Sequence, residues 1–133
     1  MKYVLFVCNH NAGRSQMAQA FFDALAPPDI RAQSAGTEPA TQIWPAVVEV
    51  MNEVGLDISD RRPKKLTREM QLHADLAVTM GCGDACPYFP GTRYEDWELD
   101  DPAGMGVEAV RPIRDEIRAR VVRLLDELGA APS

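Results

Sequence analysis

The chain is short, balanced in composition and acidic. It has 133 residues, of which 46% are hydrophobic and 26% are charged, values that indicate a globular rather than a disordered protein. A formal net charge of −6 argues against nucleic acid or an anionic membrane surface as a partner, although a local site can still bind a small anion. We expect residues 1–133 to form a single domain.

The cysteine content and the first residues favour a cytoplasmic protein. No apolar run approaches the ~20 residues that a membrane helix needs, and the apolar run 3–7 is too short for a secretory signal. The cytosol keeps thiols reduced, so an odd number of cysteines (Cys8, Cys82 and Cys86) argues against a disulfide framework. A Cys82–Cys86 zinc site would need two more ligands, so no metal is expected.

Apolar patterning predicts strands that alternate with helices. In chain order we predict a strand over 3–7, a helix from about Met17 to Leu25, a strand over 30–34, a helix closed by Gly55, a short helix over 66–72, a strand over 74–80, a short strand over 93–99 and a helix over 107–128. Pro112 must lie in the first turn of the last helix or bend it. The alternation predicts a doubly wound α/β fold, a parallel sheet with helices on both faces.

The loop after the first strand, residues 8–15, carries the strongest chemical signal, and we call it the anion loop. Cys8 and Arg14 are separated by five residues, and Ser15 follows. Loop amides at a helix N-terminus bind anions, and a guanidinium can hold two oxygens of a tetrahedral oxyanion. We therefore predict that the oxyanion is bound by Asn9, His10, Asn11, Ala12, Gly13, Arg14 and Ser15.

Cys8 lies at the base of this loop. Positive surroundings favour a thiolate, and a thiolate below a bound oxyanion is a nucleophile aimed at the central atom. Ser15 can donate to the sulfur and help it leave later. The competing interpretation is a small buried side chain at a strand end. The chain lacks the Gly-Lys-Ser/Thr ending of a nucleotide-binding P-loop, and His10 is interpreted as a wall of the loop rather than a base.

The Cys-x5-Arg spacing followed by Ser15 resembles the signature of the low-molecular-weight tyrosine phosphatase superfamily. The resemblance extends to Ser34-Ala35-Gly36 and to a late Asp-Pro at Asp101, and it implies a doubly wound four-stranded parallel sheet. Phosphatases of this superfamily carry an aromatic residue after the Asp-Pro, whereas Ala103 follows here. Segments 14–18, 97–104 and 114–117 are instead similar to the thiol-dependent arsenate reductases of the superfamily.

The resemblance implies a mechanism and an external reductant. Cys8 would attack arsenate, Asp101 would act as the general acid, and a second thiol would release arsenite. The second thiol is Cys82 or Cys86, which stand where those reductases place redox cysteines, or an external small thiol. The thioredoxin-coupled pattern has six residues between these cysteines and this chain has three. The shorter loop resembles actinobacterial relatives, some of which use mycothiol. The reductant stays open between thioredoxin and mycothiol with mycoredoxin, and no bound cofactor is expected.

A potassium site of the thioredoxin-coupled relatives is only half matched. Asn11 and Ser34 agree with it, whereas Gln19 and Lys64 replace its two carboxylates. We expect no potassium, with the Lys64 ammonium in its place; the alternative is a solvated surface lysine.

Two alternative functions remain possible from the sequence, and one basic cluster has two interpretations. The first is a tyrosine phosphatase that acts through a phosphocysteine intermediate, and the second is an oxyanion-binding or redox module without turnover. A basic cluster, Arg61, Arg62, Lys64 and Lys65, is interpreted either as a solvated face or as a docking surface for an acidic reductant.

Overall fold

The computed structural model describes residues 2–81 and 92–129, and eight helices and strands lie in these ranges. In chain order they are β1 (Lys2–Cys8), α1 (Arg14–Leu25), β2 (Ile30–Gly36), α2 (Pro45–Asn52), α3 (Arg68–His73), β3 (Leu76–Thr79), β4 (Arg93–Asp96) and α4 (Val107–Glu127). No helix in these ranges is both long enough and apolar enough to cross a bilayer.

The four strands form one parallel sheet in the order β2-β1-β3-β4. At its carboxyl edge Cys8 pairs with Gly36, and Val7 pairs with Thr79. The loops that follow these strands therefore meet at one edge, which is where ligands bind in open α/β sheets. The predicted four-stranded doubly wound fold is confirmed.

Helices cover both faces of the sheet, as the apolar patterning predicts. The larger core cluster joins Phe6 and Val78 of the sheet to apolar residues of α1, α2 and α4. On the other face a smaller cluster, Leu5, Val7, Ala74 and Ala77, packs against Met70 of α3. The central strands β1 and β3 are buried on both sides, which explains why β1 is an unbroken apolar run.

Several predicted boundaries move. Helix α1 begins at Arg14, ahead of its apolar stripe, because the polar first turn is part of the anion loop. Strand β2 continues to Gly36, whereas β3 and β4 are shorter than predicted, over 76–79 and 93–96. Pro112 lies inside α4 beyond the first turn, so the first-turn placement is wrong. Its missing N–H withdraws one helical hydrogen bond at that point.

Candidate active site

The anion loop is held from outside through its carbonyl groups. Four backbone N–H groups of the segment after β2 donate to four loop carbonyls, at 2.7 to 3.2 Å; these pairs are Thr37 to Cys8, Glu38 to Asn9, Ala40 to His10 and Trp44 to Ala12. In a trans peptide the N–H points away from the C=O of the same unit. The loop amides therefore face inward, as a cup for an oxyanion requires.

Strand β2 ends in a glycine because the loop crosses it closely. A Cβ on Gly36 would lie 2.6 Å from the carbonyl oxygen of Asn9 and 2.9 Å from the backbone nitrogen of Asn11. Only glycine permits that approach. This contact explains the Ala35-Gly36 pair in physical terms, since it allows the loop to pack directly on its neighbouring strand.

The sulfur of Cys8 is buried at the base of the cup and receives two hydrogen bonds. The backbone N–H of Asn11 donates to Sγ at 3.3 Å, and the hydroxyl of Ser15 lies 2.8 Å from Sγ. The Asn11 side-chain amide donates to the same hydroxyl oxygen at 2.7 Å, which leaves the Ser15 proton free to be donated to the sulfur.

Asn11 makes this arrangement possible through its backbone conformation. Its φ is +51°, which is rare for residues other than glycine and is tolerated best by asparagine and aspartate. The left-handed turn points the N–H of Asn11 back at Cys8 while its side chain reaches Ser15. Asn11 is completely buried, so these bonds form out of water.

Arg14 is the first residue of α1, and its guanidinium is almost fully buried, with 5% of the side chain exposed. Nη1 donates to the carbonyl of Leu99 at 3.4 Å, and Nη2 lies 3.6 Å from Oδ2 of Asp101. The backbone of Gly81 approaches the guanidinium so closely that any Cβ there would collide with Nη1. These three neighbours fix a planar fork over the loop.

The structure brings Asp101, rather than Asp100, to the guanidinium. The Asp101 carboxylate is about half exposed, with 46% of the side chain accessible, and its Oδ1 accepts the backbone N–H of Ala103 at 3.0 Å. Asp100 is exposed beside it, and within the described residues no ion pair joins it to Arg14. A carboxyl group at the rim, open to solvent, is suited to exchange protons.

His10, Gly13 and Trp44 form one wall of the site. The His10 ring lies 5.6 Å from the Trp44 ring, and its Nδ1 is 3.1 Å from the carbonyl of Glu38. A Cβ on Gly13 would lie 2.8 Å from Pro102 and 3.0 Å from Trp44, which explains the glycine. The imidazole is thus held against Trp44 and Glu38.

The side chain of Asn9 is bonded to two neighbouring loops. It accepts from the Thr37 hydroxyl at 3.1 Å and donates to the carbonyl of Gly81 at 3.3 Å. Its share in anion binding would therefore come from its backbone.

The prediction that the Lys64 ammonium takes the place of a potassium ion is wrong. Lys64 is exposed, and it is its backbone N–H, not its ammonium, that donates to Oδ1 of Asn11, at 2.9 Å. Gln19 accepts from Ser34 at 2.6 Å. Main-chain use of a lysine leaves no signal in the sequence. Within 2–81 and 92–129, no three His, Cys, Asp or Glu side chains are grouped to hold a metal.

Two predicted site residues and two that were not predicted remain. Cys82 and Cys86 lie outside the described residues. Sequence reasoning missed Gln16 and Gly81. The left-handed φ of Gly81, +85°, has a weak signal in its glycine, whereas the buried amide of Gln16 on a helix has none.

The site has a buried thiol at the end of a central parallel strand, below an amide-lined cup with an arginine and a facing carboxylate. This arrangement is typical of proteins that carry out thiol chemistry on an oxyanion. The chain belongs to the low molecular weight phosphotyrosine protein phosphatase family, whose model matches residues 3–132.

Relatives within this family include reductases and phosphatases. The glutaredoxin arsenate reductase of Synechocystis sp. is 34% identical over 132 residues, covering 97% of this chain and 100% of its own. A thioredoxin-dependent arsenate reductase of Corynebacterium glutamicum has a solved structure with a TM-score of 0.82 and 41% identity. It covers 97% of this chain, which spans 62% of that longer protein. An arginine phosphatase of Geobacillus stearothermophilus superposes with a TM-score of 0.84 at 26% identity, over 97% of this chain and 94% of its own.

Proposed function

We propose that this protein is an arsenate reductase in which Cys8 is the nucleophile. The observation that carries the proposal is the pair of hydrogen bonds on Cys8 Sγ beneath an amide cup that Arg14 closes. The relatives from Synechocystis and Corynebacterium support arsenate as the substrate. Arsenate has the charge and tetrahedral shape that the cup fits.

The first step forms an arsenic–sulfur bond. The Cys8 thiolate attacks the arsenic atom, and one arsenic–oxygen bond breaks. Asp101 protonates the departing oxygen, which leaves as water. Arg14 holds two of the remaining oxygens through its fork. The Ser15 hydroxyl, 2.8 Å from Sγ, holds the sulfur in place for the attack on arsenic.

The second step is the reduction. A second thiolate attacks Sγ of Cys8, a disulfide forms, and the electron pair of the sulfur–arsenic bond stays on arsenic. Arsenic(V) becomes arsenic(III), which leaves as arsenite, and the two thiols are oxidised. We propose Cys82 as the attacking thiol because glycines flank it on both sides, whereas Cys86 precedes Pro87, whose ring restricts its backbone. Cys86 would then pair with Cys82.

The electrons would come from outside, with no bound cofactor. Thioredoxin is supported by the solved relative from Corynebacterium, and mycothiol with mycoredoxin is the second candidate. The decisive assay follows NADPH oxidation that depends on arsenate, run in parallel with both systems. The thioredoxin arm tests the relay through the loop cysteines, and the mycothiol arm tests an external thiol. No arsenate-dependent oxidation in either arm would overturn the proposal.

The resolving step has its own test. After one turnover with arsenate and no added thiol, mass spectrometry should find a disulfide within the chain. Its absence, with turnover restored only by a small thiol, would show that Cys82 and Cys86 are dispensable. The Cys86→Ser variant should stop the oxidation at a Cys8–Cys82 disulfide.

The likeness to the arginine phosphatase gives a second candidate function, hydrolysis through a phosphocysteine intermediate. Water would replace the second thiol, so a Cys82→Ser, Cys86→Ser double variant should hydrolyse an aryl phosphate as fast as the parent. A binding module without turnover would retain phosphate and consume no thiol. Measuring arsenite, inorganic phosphate and free thiols in one sample separates the three functions.

A further inference from the structure

Gln16 is a buried polar residue that the chemistry described so far does not use. It lies in the first turn of α1 with 1% of its surface exposed. Its Nε2 donates to Oδ1 of Asn11 at 2.9 Å and to the carbonyl of Arg62 at 3.3 Å. Asn11 in turn supplies one hydrogen bond to Cys8 and one to Ser15.

The orientation of the Gln16 amide follows from its neighbours. Both contacts are to acceptors, so the nitrogen must face them, and the reversed amide would set oxygen against oxygen. The oxygen Oε1 is buried and has no hydrogen-bond partner among the described residues. A buried acceptor without a partner lowers stability. An apolar side chain would avoid that cost, so the benefit of glutamine at this position lies in its two N–H groups.

Those N–H groups act where the loop is most strained. Asn11 holds a φ of +51°, and its Oδ1 accepts only from Gln16 and from the backbone of Lys64, both at 2.9 Å, among the described residues. Two donors on one oxygen fix the side-chain plane of Asn11. That plane determines whether its Nδ2 reaches the Ser15 hydroxyl, and so whether the hydroxyl proton faces the sulfur.

We propose that Gln16 is a positioning residue that sets the reactivity of Cys8 through Asn11 and couples the anion loop to the segment 62–64. It touches neither the oxyanion nor the sulfur. The proposal deepens the function proposed above and rests on Cys8 being the reactive thiol, but it does not require that arsenate be the substrate.

The test therefore uses a reaction that needs no arsenate. Iodoacetamide alkylates thiolates, and the tryptic peptide Tyr3–Arg14 carries Cys8 as its sole cysteine, so mass spectrometry follows this site alone. Rates are measured from pH 5 to pH 9 for the wild type and for Gln16→Met, which keeps the side-chain length and removes the amide. Stability is measured in parallel by urea unfolding.

The expected result separates chemistry from stability. Gln16→Met should slow Cys8 alkylation at pH 7 by about 5-fold or more and move the pH profile upward, because the donors to the thiolate loosen. The same variant should unfold at the same or a higher urea concentration, because an unpaired buried oxygen is gone. A role in folding alone would lower stability and leave the pH profile in place.

A matched control lies on the same helix. Gln19→Met removes a partly buried amide that bonds Ser34 but has no described bond to Asn11. It should lower stability and leave the Cys8 profile unchanged. If Gln16→Met does not fold, Gln16→Asn keeps the amide but is one methylene too short to reach Asn11, and it should move the profile the same way. A profile that overlays the wild type, or equal shifts from Gln16→Met and Gln19→Met, would overturn the proposal.

Discussion

The Arg14 guanidinium lies 3.6 Å from the Asp101 carboxylate, across the mouth of the anion loop. The group that would bind the oxyanion and the group that would protonate it thus face the same small volume. Arg14 is buried and Asp101 is half exposed, so the cation is fixed and the acid can move. The first three predictions concern this side of the site.

Replacing the nucleophile should abolish the reaction and leave the fold in place. Cys8→Ser keeps a small polar group beside Ser15, but a serine hydroxyl stays protonated at neutral pH and cannot resolve through a disulfide. We expect no arsenate reduction. The free energy of unfolding, measured with urea, should change by no more than about 1 kcal/mol. Arsenite release by this variant, measured by chromatography, would exclude Cys8 as the nucleophile.

Arg14→Lys should preserve the charge and lose the fork. A lysine ammonium cannot bond two oxyanion oxygens in one plane or fill the place between Leu99 and Asp101. We expect kcat/KM to fall at least ~10-fold, about 1.4 kcal/mol. Steady-state kinetics with varied arsenate provides the measurement, and an unchanged value would assign Arg14 a structural role.

The two neighbouring aspartates provide a matched pair. Asp101→Asn should slow adduct formation by about 10²–10⁴-fold, because an amide cannot donate the proton. Asp100→Asn removes the adjacent carboxylate, for which no contact to Arg14 is described, and should have a small effect. Stopped-flow measurement of the first turnover compares them, and the reverse ranking would assign the acid to Asp100.

Gly81→Ala should weaken phosphate binding at the site in addition to lowering the free energy of unfolding. Its φ of +85° alone costs an alanine about 1–2 kcal/mol, and the new Cβ would also collide with Arg14. Gly55→Ala is the control, because Gly55 has a φ of +81° and a Cβ there meets open space. We expect both variants to lose unfolding free energy, Gly81→Ala more than Gly55→Ala, and only Gly81→Ala to lose phosphate affinity. Isothermal titration with phosphate distinguishes them.

An ion cluster away from the site should make stability depend on pH. Glu53 accepts from Arg111 at 2.6 Å and from Arg114 at 2.7 Å, and the hydrogen bond from Arg111 is the largest cause that lowers the pKa of Glu53 from 4.5 to about 2. A lowered pKa favours the folded state above the unfolded value, and this benefit is lost as pH falls from 4.5 to about 2.

The expected readout is a difference between two variants. Urea unfolding of Glu53→Gln should show a deficit at pH 7 that shrinks steadily below pH 4.5. Glu127→Gln, at the exposed end of α4, should show no such trend. A deficit that stays constant down to pH 2 would mean that the cluster acts by packing alone.

The features that could be predicted from the sequence are those set by residues close together in the chain. The strand–helix alternation and the spacing from Cys8 to Arg14 predict the elements and the anion loop because these depend on near neighbours. The rules for connections in α/β chains then predict the parallel sheet and the edge where the loops meet. Asp101 was predicted by its resemblance to a family acid, and the structure brings it to Arg14.

The remaining contacts depend on distant parts of the chain. Gly81 packs on Arg14, and the backbone of Lys64 bonds Asn11, only because the sheet order β2-β1-β3-β4 brings their loops together. No pattern in the sequence marks a main-chain donor. For this reason the sequence suggested a role for the charge of Lys64, whereas in the structure its backbone N–H donates to Asn11.

The central place of β1 has a consequence for the order in which the protein matures. Strand β1 pairs with β2, which ends at Gly36, and with β3, which begins only at Leu76, and the groups around Arg14 extend to Asp101. Non-local parallel pairing forms late, because the entropy of closing the long loop is lost before the contacts between the strands stabilise the chain. On a nascent chain the side of the site that Gly81, Leu99 and Asp101 form around Arg14 is thus absent until most of the domain has left the ribosome.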